Sequence, residues 1–87
     1  MNLDRVEILA EVLESVAETL NIPTTDITEL TLIRQDLEAD SMDIVTLMVL
    51  LDDKFDAEFS PEDIPPEDVT IGWIVDHIIR KFENSPT

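Results

Sequence analysis

The chain has no cysteine. Disulfide staples, cysteine-based zinc sites and thiolate nucleophiles are excluded with it. A single glycine in 87 residues argues against a turn-rich all-β sandwich or barrel, because such folds need many residues at positive φ. Basic residues are scarce: 5 Lys and Arg face 21 Asp and Glu, for a net charge of −16. Nucleic acid and anionic membranes are polyanions and are disfavoured as partners. Basic protein surfaces and cations are the natural ones. Long apolar runs are missing as well, the longest being the five residues from Leu47 to Leu51, so no membrane insertion is expected. The N-terminal stretch is acidic and amphipathic rather than basic and then apolar, so no signal peptide is read and a cytoplasmic address is expected.

Core-forming residues are nevertheless plentiful. Leu, Ile, Val and Phe account for 30 of the 87 residues, above the level at which high net charge enforces disorder. The length suits one domain, expected over residues 1–83 as a monomer, with a mobile tail at 84–87. Residues 3–20 read as an amphipathic helix, with Val6, Leu9, Leu13, Val16 and Leu20 at three- and four-residue steps. Asn21 and Pro23 stop it. A long ordered loop follows over 21–40, pinned by scattered apolar residues. Asp40 is a candidate N-cap for a second helix running to Phe55, with Asp43 three residues on as in a capping box. Ser60-Pro61-Glu62-Asp63 repeats the start signal, but Pro65 and Pro66 hold that element to about one turn. Thr70 caps a last helix whose buried stripe is Ile71, Ile74, Val75, Ile78 and Phe82.

The second helix carries two apolar stripes. Ile44, Leu47, Met48, Leu51 and Phe55 fall in one arc, which suffices for packing. Met42, Val45 and Val49 form another, beside Thr46, Asp52 and Asp53. The helix is therefore either buried on nearly all sides or exposes a docking strip rimmed by carboxylates. Ser41, where that helix begins, is either a first-turn serine or a hydroxyl presented at the positive end of the helix dipole.

The run Asp36-Leu37-Glu38-Ala39-Asp40-Ser41-Met42-Asp43-Ile44-Val45 closely resembles the acyl carrier protein signature D-L-G-x-D-S-L-D-x-V. The resemblance extends to the acidic first helix, the long loop, Asp52-Asp53-Lys54-Phe55 and the closing Thr70-Ile71-Gly72 helix. It implies an all-α, acyl-carrier-like four-helix bundle of three main helices, one short third helix and a long first loop. It also implies a non-enzymatic carrier in which Ser41 bears 4′-phosphopantetheine, donated from coenzyme A, with acyl groups held on it as thioesters. The implied pathways are fatty-acid, polyketide or related lipid biosynthesis. The implied partners are a phosphopantetheinyl transferase and acyl-loading, elongating or transfer enzymes with basic patches, reading Asp40, Met42, Asp43, Val45, Val49, Asp52 and Asp53. Resemblance and periodicity together suggest Val45, Leu51, Ile64, Ile71 and Ile74 as the lining of an acyl pocket. Glu38 stands where the family usually has glycine, Thr46 where glutamate is frequent and Leu50 where a small residue is. With Pro65-Pro66, these departures point to a specialised, stand-alone relative.

Other residues carry less. His77 has no serine or cysteine partner at helical spacing and reads as a solvated helix residue. Trp73, four residues earlier, lies off the buried stripe and either covers the loop or third-helix region or meets a partner. Asp36, Glu38 and Asp40 alternate like the start of a calcium loop, but Ser41 stands at its glycine position and Leu47 at its final glutamate. No metal site is expected beyond loose divalent binding. The rival reading is an unmodified acidic adaptor or a weak divalent-cation-binding module.

Overall fold

The computed structural model describes residues 4–56, 59 and 61–83. Three helices form the frame: α1 (Arg5–Leu20), α2 (Ser41–Phe55) and α3 (Ile71–Glu83). Single 3₁₀ turns at Thr24–Asp26 and Pro61–Asp63 lie in the two connections. Among the described residues, the second turn is what the short third helix amounts to. Ser60, expected to start it, and the tail at 84–87 lie outside the described residues.

α1 begins at Arg5, two residues later than the periodicity suggests, because Asp4 caps it by accepting the Val6 N–H at 3.0 Å. It ends at Asn21, whose φ of 57° is the left-handed conformation common after a helix. The core face of α1 is Ile8, Val12, Ser15, Val16 and Ala17. Leu9, Leu13 and Leu20 flank it, half-buried. Val6 does not belong to the stripe and is 73% exposed. At about 100° per residue it lies some 200° around the helix from Ile8, so the face that buries Ile8 turns Val6 to solvent. In α3 the expected stripe holds, with Ile71, Ile74, Val75 and Ile78 buried and Phe82 half-buried against them.

α1 packs directly on both α2 and α3, whose own described backbones do not come within 8 Å (Cα–Cα) of each other. Their interface is made by side chains alone, including Leu51, Ile71 and Ile74, each at most 2% exposed. The loop after α1 is sewn to the segment preceding α3 by backbone bonds from Ile33 N to Val69 O (3.0 Å) and from Ile71 N to Thr31 O (3.1 Å). The single glycine, Gly72, allows the closest approach: its N–H meets Glu29 O at 2.8 Å, and a Cβ there would sit 3.1 Å from the same oxygen.

Candidate functional site

The start of α2 is fixed by local chemistry. Asp40 Oδ1 accepts the Asp43 N–H at 2.9 Å, and Asp43 Oδ2 accepts the Asp40 N–H at 3.2 Å. This reciprocal capping box satisfies two donors that a helix start leaves over. Ser41 occupies the first helical position and is exposed. No described group hydrogen-bonds its Oγ. The positive end of the helix dipole lies at this hydroxyl, and the N–H groups of Ser41 and Met42 have no partner within the helix. A phosphate ester at Ser41 would gain from both.

The chain enters the site through a strained step. Glu38 has φ 56°, a left-handed conformation that costs a residue with a Cβ roughly 1–2 kcal/mol. Glycine takes it without that penalty, which gives a physical reason for glycine at this position of the signature. Ala39, next in line, is buried and bonds through its N–H to Ile33 O at 3.1 Å.

Behind the loop stands Asp68. Its carboxylate accepts the N–H groups of Arg34 (2.8 Å), Gln35 (2.7 Å) and Val69 (3.0 Å). Partial desolvation pushes its pKa up, but those three bonds and the nearby Arg34 charge outweigh it, and the net direction is down. The Arg34 guanidinium in turn donates to the carbonyls of Pro65 and Glu67. The base of the site is thereby tied to the far connection.

The second apolar stripe of α2 is uncovered. Met42, Val45 and Val49 are 71%, 39% and 63% exposed, so the alternative of a helix buried on nearly all sides is excluded. Asp53 is exposed beside them and Asp52 is half-buried. Of the five residues expected to line an acyl pocket, Leu51, Ile64, Ile71 and Ile74 are buried together in the core. Val45 is not in that buried set and is 39% exposed on the strip. A shallow crevice of about 210 Å³, counting its open mouth, lies elsewhere, between Val16 and Leu20 of α1, Ile33, Ala39, and Ile44 and Leu47 of α2. Nothing in the sequence singled it out, because it joins three segments that no local pattern connects.

His77 is not the solvated residue its spacing suggested. Its ring is stacked on Trp73 (centroids 5.0 Å apart, planes at 11°) and lies 5.8 Å from the ring of Phe59. Its Nε2 is buried and faces Asp63 Oδ2 at 3.5 Å, beyond good hydrogen-bond length. Lys81 reaches the same oxygen at 3.3 Å. His77 and Lys81 thus tie α3 to the second 3₁₀ turn through Asp63, and Trp73 stacks on His77 from the same helix. Among the described residues no three His, Asp or Glu side chains converge as a metal site requires, and no helix is long and apolar enough to cross a membrane.

Comparison with known proteins gives the family. Residues 10–78 match the family model described as a phosphopantetheine attachment site. An acyl carrier protein of Rubrobacter xylanophilus is 34% identical over 78 residues, covering 90% of this chain and 95% of that protein. Another, from an Exiguobacterium species, is 34% identical over 80 residues, covering 92% of this chain and all of the relative. The chain belongs to the acyl carrier protein family, whose members are non-catalytic carriers with a covalent 4′-phosphopantetheine group.

Proposed function

We propose that Ser41 is the attachment residue, and that the protein carries acyl intermediates of fatty-acid, polyketide or related lipid biosynthesis. The single observation behind this reading is the exposed, unengaged Ser41 hydroxyl on the first turn of α2, held out by the Asp40–Asp43 capping box. When bound, the group supplies a terminal thiol on which acyl chains are held as thioesters. The chain's own residues do the rest. The helix start favours the phosphate, and the Asp68 anchor keeps the loop in register.

The partner surface in this reading is the exposed strip of Met42, Val45 and Val49 with Asp40, Asp43, Asp52 and Asp53 around it. Methyl groups ringed by carboxylates suit brief docking on basic patches, where charge speeds encounter and a small apolar contact lets go easily. The partners are a phosphopantetheinyl transferase and acyl-handling enzymes carrying such patches. Between visits, the cargo shelters among Leu51, Ile64, Ile71 and Ile74, with Val45 at the rim. A cytoplasmic address belongs to the same reading.

The test is intact mass after incubation with a broad-specificity phosphopantetheinyl transferase and coenzyme A. One added arm is expected on the wild type and none on Ser41→Ala. The variant should keep its stability to within about 0.5 kcal/mol, as an exposed side chain without bonds implies. No added mass with several transferases would favour an unmodified adaptor, and an arm on another hydroxyl would remove Ser41 from the site.

A further inference from the structure

We propose that Thr46 is a specificity-determining residue of this carrier. It keeps the middle of α2 neutral, so the helix fits partners with basic groups at two separated points and apolar surface between them. The inference rests on the reading of the α2 strip as the partner surface and adds the partner's chemistry to it. Residues 44–51 hold no charged side chain. The carboxylates therefore stand in two groups, Asp40 and Asp43 where α2 begins and Asp52, Asp53 and Asp56 where it ends. Asp40, Asp53 and Asp56 are exposed, and Asp43 and Asp52 half-buried. Asp43 and Asp52 are nine residues apart, about 14 Å along the helix. Lys54, the one cation of α2, lies about 120° around the helix from Met42 and pairs with Glu11 of α1 at 3.5 Å.

Between the two groups the exposed row is Met42, Val45, Thr46 and Val49, all within about 60° of Met42 around the helix. Thr46 alone among them has a polar side chain, and its hydroxyl is engaged inside the helix. It donates to the Met42 carbonyl at 3.0 Å. A hydroxyl has one hydrogen to give, so Thr46 offers a partner its methyl group and a lone pair. A lone pair accepts a hydrogen bond but cannot balance a charge. A lysine or arginine pressed against this row would lose water and meet no carboxylate, at a net cost. An apolar side chain there would cover Met42, Val45, Val49 and the Thr46 methyl, at a gain. Cations are welcome only at the two ends. A glutamate at this one position would join the two acidic groups into a continuous ridge and remove the distinction.

The experiment crosses carrier variants with two synthetic helical peptides of identical composition. One carries its lysines at both ends, about 14 Å apart, with leucines between them; in the other, one lysine and one leucine exchange places so that a lysine stands at the centre. Binding is followed by the chemical shifts of the Met42, Val45 and Val49 methyl groups. The wild type should bind the end-charged peptide more tightly. Thr46→Glu should move that preference toward the centre-charged peptide by about two- to fivefold, the effect of one exposed ion pair. Thr46→Val, which removes the hydroxyl and adds no charge, should keep the wild-type preference. So should Thr25→Glu, which adds the same charge at an exposed site in the first 3₁₀ turn. Equal binding of the two peptides by the wild type overturns the proposal, as does a preference unmoved in Thr46→Glu, lost in Thr46→Val or moved equally in Thr25→Glu. Methyl shifts with neither peptide overturn it as well. The peptide assay uses the unmodified protein, so it fails independently of the mass assay. A missing arm in the latter removes the carrier reading, and the proposal with it, even where the peptide preference holds.

Discussion

Asp68 and Arg34 each use a side chain to hold the backbone of the other's segment. The Asp68 carboxylate accepts the Arg34 N–H at 2.8 Å, while the Arg34 guanidinium donates to the carbonyls of Pro65 and Glu67 just before Asp68. Neither residue touches Ser41, yet together they fix the loop that leads to it. Carriers present one residue to many partners in turn, and a loop free to wander would blur that presentation.

Replacing Asp68 by asparagine should therefore lower the melting temperature at neutral pH by several degrees. An amide offers one acceptor oxygen where three N–H groups converge, and its NH₂ would face donors. The pH dependence follows from the lowered pKa. Folded Asp68 holds its proton less tightly than the unfolded residue, whose ordinary value is 3.8. Its stabilisation is fully present above that value and drains away as pH falls through the depressed folded one. Melting curves between pH 7 and pH 3 should show the wild-type advantage over Asp68→Asn shrinking at the acid end. A constant gap down to pH 3 would mean that the carboxylate's charge plays no part.

Glu38 invites the opposite change. Its φ of 56° favours glycine, and relief of roughly 1–2 kcal/mol of strain is offset by the greater freedom of glycine in the unfolded chain, about 0.4–1 kcal/mol. Glu38→Gly should gain about 0.5–1 kcal/mol, or some 2–8 °C in a domain this size. Removing one charge from an acidic protein contributes too, so Glu38→Ala is the comparison: it loses the charge and keeps the Cβ. Glycine no more stable than alanine would show that the loop relaxes rather than bearing the strain.

Salt should act through Arg5. Its guanidinium reaches Glu29 at 3.2 Å and Asp76 at 3.1 Å, joining α1 to the loop and to α3. These two partners, by hydrogen bonding and charge, hold its pKa up against a smaller opposing effect of desolvation. It is one of only 5 basic residues against a net charge of −16. The melting temperature of the wild type should rise with NaCl, because screening relieves more repulsion than attraction. Arg5→Gln should melt lower at low salt and climb more steeply as salt is added. Parallel salt curves for the two proteins would assign Arg5 no electrostatic part in stability.

The sequence was most legible where structure is local. The α2 start rests on Asp40 and Asp43, three residues apart, and a capping box is read directly from such spacing. Thr70 was legible in the same way, and it accepts the Trp73 N–H at 3.1 Å. In α1 two apolar rows run side by side, one through Leu9 and Leu13 and one through Ile8 and Val12. Periodicity alone could not say which faced inward, and Val6 went with the wrong row. The Asp68–Arg34 and Arg5–Asp76 pairs were illegible, because 34 and 71 residues separate their members. The burial of His77 depends on Phe59 and Asp63, which reach it from another segment. Glu38 was conspicuous only against the family's glycine; its left-handed backbone gives that departure a physical meaning.

The last prediction concerns Asp53, exposed near the end of α2. It lies about 20° around the helix from Met42, beside the uncovered strip. A carboxylate at a helix C-terminus opposes the dipole, and a lysine there is favoured by about 0.3–1 kcal/mol. Were Asp53 mere surface, Asp53→Lys would raise the melting temperature and change nothing else. If the strip docks basic partners, the same variant should lose severalfold in kcat/KM for modification of Ser41 or for acyl loading. That loss should narrow as salt rises, since rim charges act mainly on encounter. Asp76→Lys cannot serve as the charge control, because Asp76 is paired with Arg5. Glu18 can: it is exposed in the last turn of α1, so Glu18→Lys makes the same change in net charge and dipole on a helix other than the one that carries the strip. Both variants should melt at or above the wild-type temperature, and only Asp53→Lys should slow the enzymes. Equal rates for the two would take Asp53 out of partner recognition while leaving Ser41 untouched.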